Sequence, residues 1–262
     1  MVLALCFAVL VAWEYGVFTN RYPQFRPNQD VPKIIHLMYF PWDKNQNLLK
    51  NQNDFDRTYC DELRKAYPDM LVMMWTLPLV HSFCDKHYPG LWEMVRQNAV
   101  RPTQLVDLFR WLVVYHFGGL YLQYDSKLYV HPEQLLPSQG FDLRLYTEFV
   151  WVTPVWQWLA GRKFAIRNYL PEEKWRIMNQ LFAATPKHPY VWLTWTSILE
   201  RMCKWKPKCD YDILFIGANA FVSELYDKVG QKQKTTERIN FWQTRHLVKV
   251  SNKGSWRLDH SY

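Results

Sequence analysis

The chain has 262 residues, of which 49% are hydrophobic, 17% aromatic and 21% charged, and it carries a formal net charge of +8. That length fits one large domain, or one domain with appendages, and it removes the need for disulfide or metal staples to complete a core. The basic excess favours anionic partners such as phosphorylated small molecules or acidic membranes, whereas nucleic acid is not expected, because the Lys and Arg residues are scattered apart from short clusters at 204–208 and 228–234 and no nucleic-acid motif accompanies them.

The first 18 residues, MVLALCFAVLVAWEYGVF, are apolar except for Glu14. A bilayer span needs about 17–25 such residues, so the segment is expected to be a single-pass signal-anchor, with a cleaved signal or a docked apolar helix as the alternatives. Residues 19–30, with Pro23 and Pro27, read as a stem or linker. The main domain then runs over 31–262. VPKIIHLMYF predicts a strand over Lys33 to Tyr39, and DFDRTYCDELRKAY predicts a helix that Pro68 stops. MLVMMWTL is an apolar run of strand length, and a mixed helical stretch follows to about Asn98. RPTQLVDLFRWLVVYHFGG predicts a longer helix, opened by Pro102 and Thr103 and closed by Gly118. Its apolar face holds Leu105, Leu108, Phe109, Leu112, Val113 and His116, while Asp107 and Arg110 share another face with Trp111 and Val114.

A strand is expected at Leu120 to Tyr124, and further strands at FDLRLYTEF, MNQLFAATP and YDILFIG. HPYVWLTWTSILERMC and ANAFVSELYDKV read as helices, and the tail HLVKVSNKGSW as a short strand and a loop. Strands alternating with helices predict an α/β fold with a mostly parallel central sheet. The 14 tryptophans are expected mainly in the core, with a minority lining a groove where a flat apolar face with one N–H donor suits a sugar or a base. The aromatic run EFVWVTPVWQWLAG fits core packing or a membrane- or acceptor-facing patch.

Five cysteines, Cys6, Cys60, Cys84, Cys203 and Cys209, contain no C-x-x-C pair, which argues against zinc. Cys203 with Cys209, and Cys60 with Cys84, are candidate disulfides beside the alternative of free thiols. The histidines show no metal-ligand spacing, and neither a G-x-S-x-G, a Walker loop nor a G-x-G-x-x-G is present.

The chemistry concentrates at 107–125. In α/β sheets ligands bind at the carboxyl ends of the strands, and Asp125 follows such an end. Alone it reads as a turn residue or cap, but a carboxylate there can also hold a hard cation such as Mg2+ or Mn2+ that bridges phosphate oxygens. Asp107 and Arg110 on a helix surface would be a local ion pair worth about 0.2–0.5 kcal/mol. Among so many large apolar neighbours the pair is expected to be semi-buried and to need satisfied partners, and a sugar is one such partner, with Asp accepting and Arg donating.

The order VPKIIH, then LVDLFRWLVVYHFGGLYLQYD, then a late GSW resembles the glycosyltransferases with a DXD sugar-binding motif, and within them the Och1-type and inositol-phosphoceramide mannosyltransferases. The clostridial glucosylating toxins are more distant members of the same broad group. The resemblance runs from about Val31 to Trp256 and is densest from Val100 to His131. It implies a GT-A-like fold, a GDP- or UDP-linked nucleotide-sugar donor, Mn2+ or Mg2+, retention of anomeric configuration, a glycan or sphingolipid-type acceptor, and a Golgi or other secretory-pathway membrane reached through the N-terminal segment. By the same resemblance Asp107 and Arg110 grip the donor sugar, and Asp125 is the second Asp of DXD and the metal ligand. Ile35 and His36 belong to the strand that ends beside the base, with Gln123 and Tyr124 in the motif itself. Ser255 and Trp256 lie near the metal and the diphosphate, and His246 matches a family His without an assigned role.

Gln123 departs from the family, which has its first Asp there. An amide still hydrogen-bonds ribose but brings no negative charge, so one carboxylate and the donor's own phosphates must hold the cation. IGANAF departs more mildly from the Gly-Pro common in the family. Two readings follow: a metal-dependent hexosyltransferase, mannose being the expected sugar, and a non-catalytic member that binds a sugar-nucleotide or glycan.

Overall fold

The computed structural model describes residues 30–40, 58–124, 126–149, 175–207, 216–230, 239–243 and 247–249. In chain order these contain β1 (Ile34–Met38), α1 (Thr58–Ala66), β2 (Leu71–Trp75), α2 (Leu77–His87), α3 (Leu91–Asn98), α4 (Pro102–Phe117), β3 (Gly119–Leu122), β4 (Lys127–Leu128), a 3-10 turn (Pro132–Leu135), β5 (Leu143–Phe149), β6 (Trp175–Ala184), α5 (Pro189–Lys204), α6 (Asn219–Gly230), β7 (Ile239–Gln243) and β8 (Val248–Lys249).

Six strands form the main sheet in the order β2-β1-β3-β6-β5-β7. The pairings β1–β2, β1–β3 and β5–β7 are parallel, and only β6 runs against its neighbours β3 and β5. The α/β class and the mostly parallel sheet are therefore as the sequence predicts. A second, two-stranded sheet pairs β4 with β8 antiparallel.

Side-chain alternation explains the layers. Along β1, Ile35 and Leu37 bury on the face covered by α1 and the 3-10 turn, and along β3 Leu120 and Leu122 do the same. Met38 and Tyr121 bury on the opposite face, against α2, α3, α4 and α5. Each fully buried Leu or Phe contributes roughly 1.5–3 kcal/mol, and both faces carry many. The helix α4 is buried nearly all round, between the sheet and α5, which is why its sequence is so apolar. Among the tryptophans Trp75, Trp92, Trp111 and Trp195 are core residues, and Trp111 stacks on Phe182 with ring centroids 3.7 Å apart.

The start of α4 is capped by Gln104, whose Oε1 accepts from the main-chain N–H groups of Val100 and Arg101 at 2.8 and 2.9 Å. Its end is set by Gly118 (φ 69°) and Gly119 (φ 96°). Neither position has room for a side chain: a Cβ on Gly118 would meet Pro186 at 2.6 Å, and one on Gly119 would meet the Ile34 carbonyl oxygen at 2.6 Å. The chain thus reverses within two residues and enters β3 in contact with β1.

Two sequence expectations change. Cys60 and Cys84 bury on opposite faces of the sheet, so that pair forms no disulfide. Of the strand expected at 211–217, residues 211–215 lie outside the described ones, and 216–218 turn into α6. The apolar segment 1–18, Cys209 and most of the linker and of the aromatic run at 148–161 also lie outside the described residues. Among the described residues no helix is long and apolar enough to cross a membrane.

Candidate functional site

Asp107 and Arg110 are one helical turn apart on the face of α4 turned toward β6 and β3. They are 4% and 5% exposed, and Arg110 Nη2 lies 3.0 Å from Asp107 Oδ1. The same Oδ1 accepts from Asn179 Nδ2 at 2.9 Å, while Arg110 Nη1 donates to the Asn179 carbonyl at 2.8 Å and Nε to the Val106 carbonyl at 3.2 Å. The guanidinium also lies 5.1 Å from the centre of the Tyr121 ring. Asp107 Oδ2 accepts no hydrogen bond among the described residues. Burial pushes the Asp107 carboxyl above its ordinary range, and Arg110 and Asn179 pull the other way. Gly217 passes close by: a Cβ there would sit 3.3 Å from that of Asp107.

Asn179 escapes a reading of the sequence by pairs, yet its signal is visible. It sits with Gln180 inside the otherwise apolar run IMNQLFAA, where an amide needs a partner. Its delivery depends on an irregularity in β6. Leu145 pairs with Phe182 and Thr147 with Ile177, so Met178, Asn179, Gln180 and Leu181 lie opposite the single residue Tyr146. Bulged strands re-aim side chains, and here the effect turns Asn179 into the Asp107–Arg110 pair.

The carboxyl end of β3 adjoins this network. Leu122 pairs with Leu181, and Gln123 N donates to the Gln180 carbonyl at 2.9 Å. By alternation positions 121 and 123 share the α4 face. Ser126 N then donates to the Gln123 carbonyl at 3.2 Å, which closes a turn. On the α1 face the half-buried Tyr124 ring lies 5.1 Å from Tyr39 and 5.4 Å from Tyr59, centroid to centroid. The Tyr59 hydroxyl donates to the Ser126 carbonyl. Ser126 is buried, and its Oγ has no hydrogen-bond partner. Asp125, Ser255, Trp256 and His246 lie outside the described residues.

Ile35 and His36 lie inside β1 rather than at its carboxyl end, and both are fully buried. Trp75 Nε1 donates to His36 Nδ1 at 3.0 Å, so the other nitrogen, 2.7 Å from the Gly118 carbonyl, carries the proton. Burial lowers the His36 pKa to about 4 against the opposing pull of that carbonyl. The residues that β1 delivers to the sheet's carboxyl edge are Tyr39 and Phe40 instead.

In the sequence, the end of β3 offers oxygen-bearing side chains only, on Gln123, Asp125 and Ser126, and oxygen donors suit Mg2+ or Mn2+ and not zinc, so these residue types fit the expected cation class. Two other groupings of ligand-type side chains, Asp69 with His131 and Glu133, and His81 with Asp85 and Glu93, lie elsewhere. The first is an ionic network centred on Lys33, whose Nζ is 2.7 Å from Glu133 Oε1.

Residues 53–142 match the family described as "Glycosyltransferase sugar-binding region containing DXD motif". Among curated proteins the chain is similar to two mannosyl phosphorylinositol ceramide synthases of Saccharomyces cerevisiae. One is 29% identical over 115 residues, 44% of this chain and 28% of the relative; the other is 28% identical over 98 residues, 37% and 23%. It is also similar to inositol phosphoceramide mannosyltransferase 1 of Schizosaccharomyces pombe, 23% identical over 168 residues, 63% of this chain and 41% of the relative. The alignments thus span between 23% and 41% of the length of these relatives. The solved PaToxG glycosyltransferase aligns over 90% of this chain and 82% of its own at 11% identity, with a TM-score of 0.46. The matched stretch runs from before α1 to the residue before β5 and carries Asp107, Arg110, Gln123 and Ser126; the match agrees with the resemblance seen in the sequence.

Proposed function

We propose that the chain is a metal-dependent, retaining hexosyltransferase that moves mannose from a nucleotide-sugar, GDP-mannose first among the GDP- and UDP-linked donors, to a glycan or a sphingolipid-type acceptor. The observation that carries this is the state of Asp107. Its Oδ1 is taken by Arg110 and Asn179, while Oδ2 accepts nothing among the described residues. A carboxylate held on one oxygen, with the other left without a protein donor among the described residues, is arranged to accept a hydroxyl. The names of the relatives, mannosyl phosphorylinositol ceramide synthase and inositol phosphoceramide mannosyltransferase, support mannose and the lipid acceptor.

In this reading Asp107 accepts a hydroxyl of the donor hexose and Arg110 keeps that carboxylate charged and in place. Gln123 would hydrogen-bond the ribose, and Asp125, with the donor's own phosphates, would hold the cation. When bound, a divalent cation supplies charge neutralisation to the departing diphosphate. Trp256 and Ser255 donate to phosphate oxygens, which stabilises the same developing charge. Retention follows from attack on the face the diphosphate leaves, or from a short-lived ion pair, and no side chain of this chain is assigned as a nucleophile. The net charge of +8 suits an anionic donor and an anionic lipid, and residues 1–18 anchor the domain to a secretory-pathway membrane such as the Golgi.

Gln123 favours a second reading, a non-catalytic member that binds a sugar-nucleotide or glycan. A panel of GDP- and UDP-sugars assayed for Mn2+-dependent hydrolysis by the native protein and by Gln123→Asp separates the two. Hydrolysis of GDP-mannose by the native protein supports the enzyme. Hydrolysis by the variant alone supports the binding protein, and hydrolysis by neither rejects the proposed activity.

A further inference from the structure

With Gln123 in place of an acid, the end of β3 has one carboxylate, and its hold on a cation depends on how firmly the turn presents its oxygens. In a reacting site, misplacement by about 1 Å can cost on the order of 100-fold in rate. The turn leaves β3 through Gln123, anchored to β6 by its N–H, and closes with the Ser126 N–H on the Gln123 carbonyl. Neither of these two contacts reaches the α1 side of the molecule. Among the described residues Tyr59, in the first turn of α1, does reach it: its hydroxyl donates to the Ser126 carbonyl. Its ring meets Tyr124 edge-on at an interplanar angle of 81°, and Tyr39, just past β1, packs on Tyr124 at 52°. One side chain therefore holds the turn by a hydrogen bond on its last residue and by a ring contact on the residue two positions earlier.

We infer that Tyr59 is a positioning residue for the metal and diphosphate end of the site: it touches neither ligand and acts through the main chain of Ser126. The inference rests on the reading that the carboxyl end of β3 holds a cation and a nucleoside diphosphate. The buried Ser126 Oγ, without a hydrogen-bond partner, adds that this residue is fixed by its main chain and not by its own hydroxyl.

The test uses the full chain and the variant Tyr59→Phe, which keeps the ring and removes the donor. Calorimetric titration with GDP in the presence of Mn2+ is expected to show the apparent Mn2+ affinity weakened about three- to tenfold, the range one hydrogen bond supports. Raising Mn2+ should restore binding, and amide exchange at Ser126 and Lys127 should quicken in the metal-free protein. The thermal midpoint should fall by no more than about 4 °C. Native-like Mn2+ affinity in Tyr59→Phe overturns the inference, whatever happens to the thermal midpoint. If the native protein itself shows no Mn2+-dependent GDP binding, the functional reading fails and the inference fails with it, so the two failures are distinguishable.

Discussion

Asn179 ties the Asp107–Arg110 pair to the sheet from 72 residues away along the chain. It gives its side-chain N–H to the carboxylate and its carbonyl to the guanidinium, so both charges have a neutral partner on the same strand. Asn179→Ala should cost about 1–3 kcal/mol in urea unfolding, the range for leaving a buried polar group unsatisfied. Asn179→Asp should cost more, since it sets a second carboxylate beside Asp107 in a site that already raises its pKa. Equal midpoints for the native protein and both variants would show that the pair does not need Asn179. Asp107 and Arg110 could be read from the sequence, because two charges in an apolar helix of known period demand an explanation. Their partner could not, because it depends on the register of β6 and on the irregularity opposite Tyr146, and neither has a local signature.

At the scale of elements, the junction of α4, β1 and β3 carries the geometry. Gly118 and Gly119 were legible as a helix stop, but only the packing explains why there are two: one clears Pro186 and the other the main chain of Ile34. His36 completes the junction, joining the Gly118 carbonyl of the turn to Trp75 of β2. Both bonds use the neutral ring. The folded pKa, about 4, lies below the ordinary 6.5, so between those values the unfolded chain binds the extra proton. Stability is therefore fully present above pH 6.5 and is lost as the pH falls toward 4, by on the order of 3 kcal/mol from this group. His116, half-buried between Tyr88 and Lys187 and lowered to about 3, adds in the same direction. Urea midpoints measured from pH 7.5 to 4.5 should fall steadily, and the slope should flatten in His36→Gln. A slope unchanged in that variant would take His36 out of the account. The sequence already places His36 inside the strand predicted over Lys33 to Tyr39, but not the Gly118 carbonyl and the Trp75 indole that enclose it, because both come from other elements.

At the scale of the molecule, the sheet order brings two separate groups to one edge. The Asp107–Arg110–Asn179 network lies on the α4 face and the Tyr39–Tyr124–Tyr59 group on the α1 face, with the carboxyl end of β3 between them. Alternating strands and helices made the α/β class legible. The single antiparallel strand, β6, was not legible as such, because strand direction follows from connections that local pattern does not encode. The central claim is that this edge binds a nucleoside diphosphate sugar through a cation held by Asp125. Calorimetric titration of GDP-mannose into the native protein and into Asp125→Ala, each with and without Mn2+, tests it most directly. The account predicts Mn2+-dependent binding to the native protein that Asp125→Ala loses while its unfolding midpoint is kept; equal Mn2+-dependent affinity in the two proteins would contradict it.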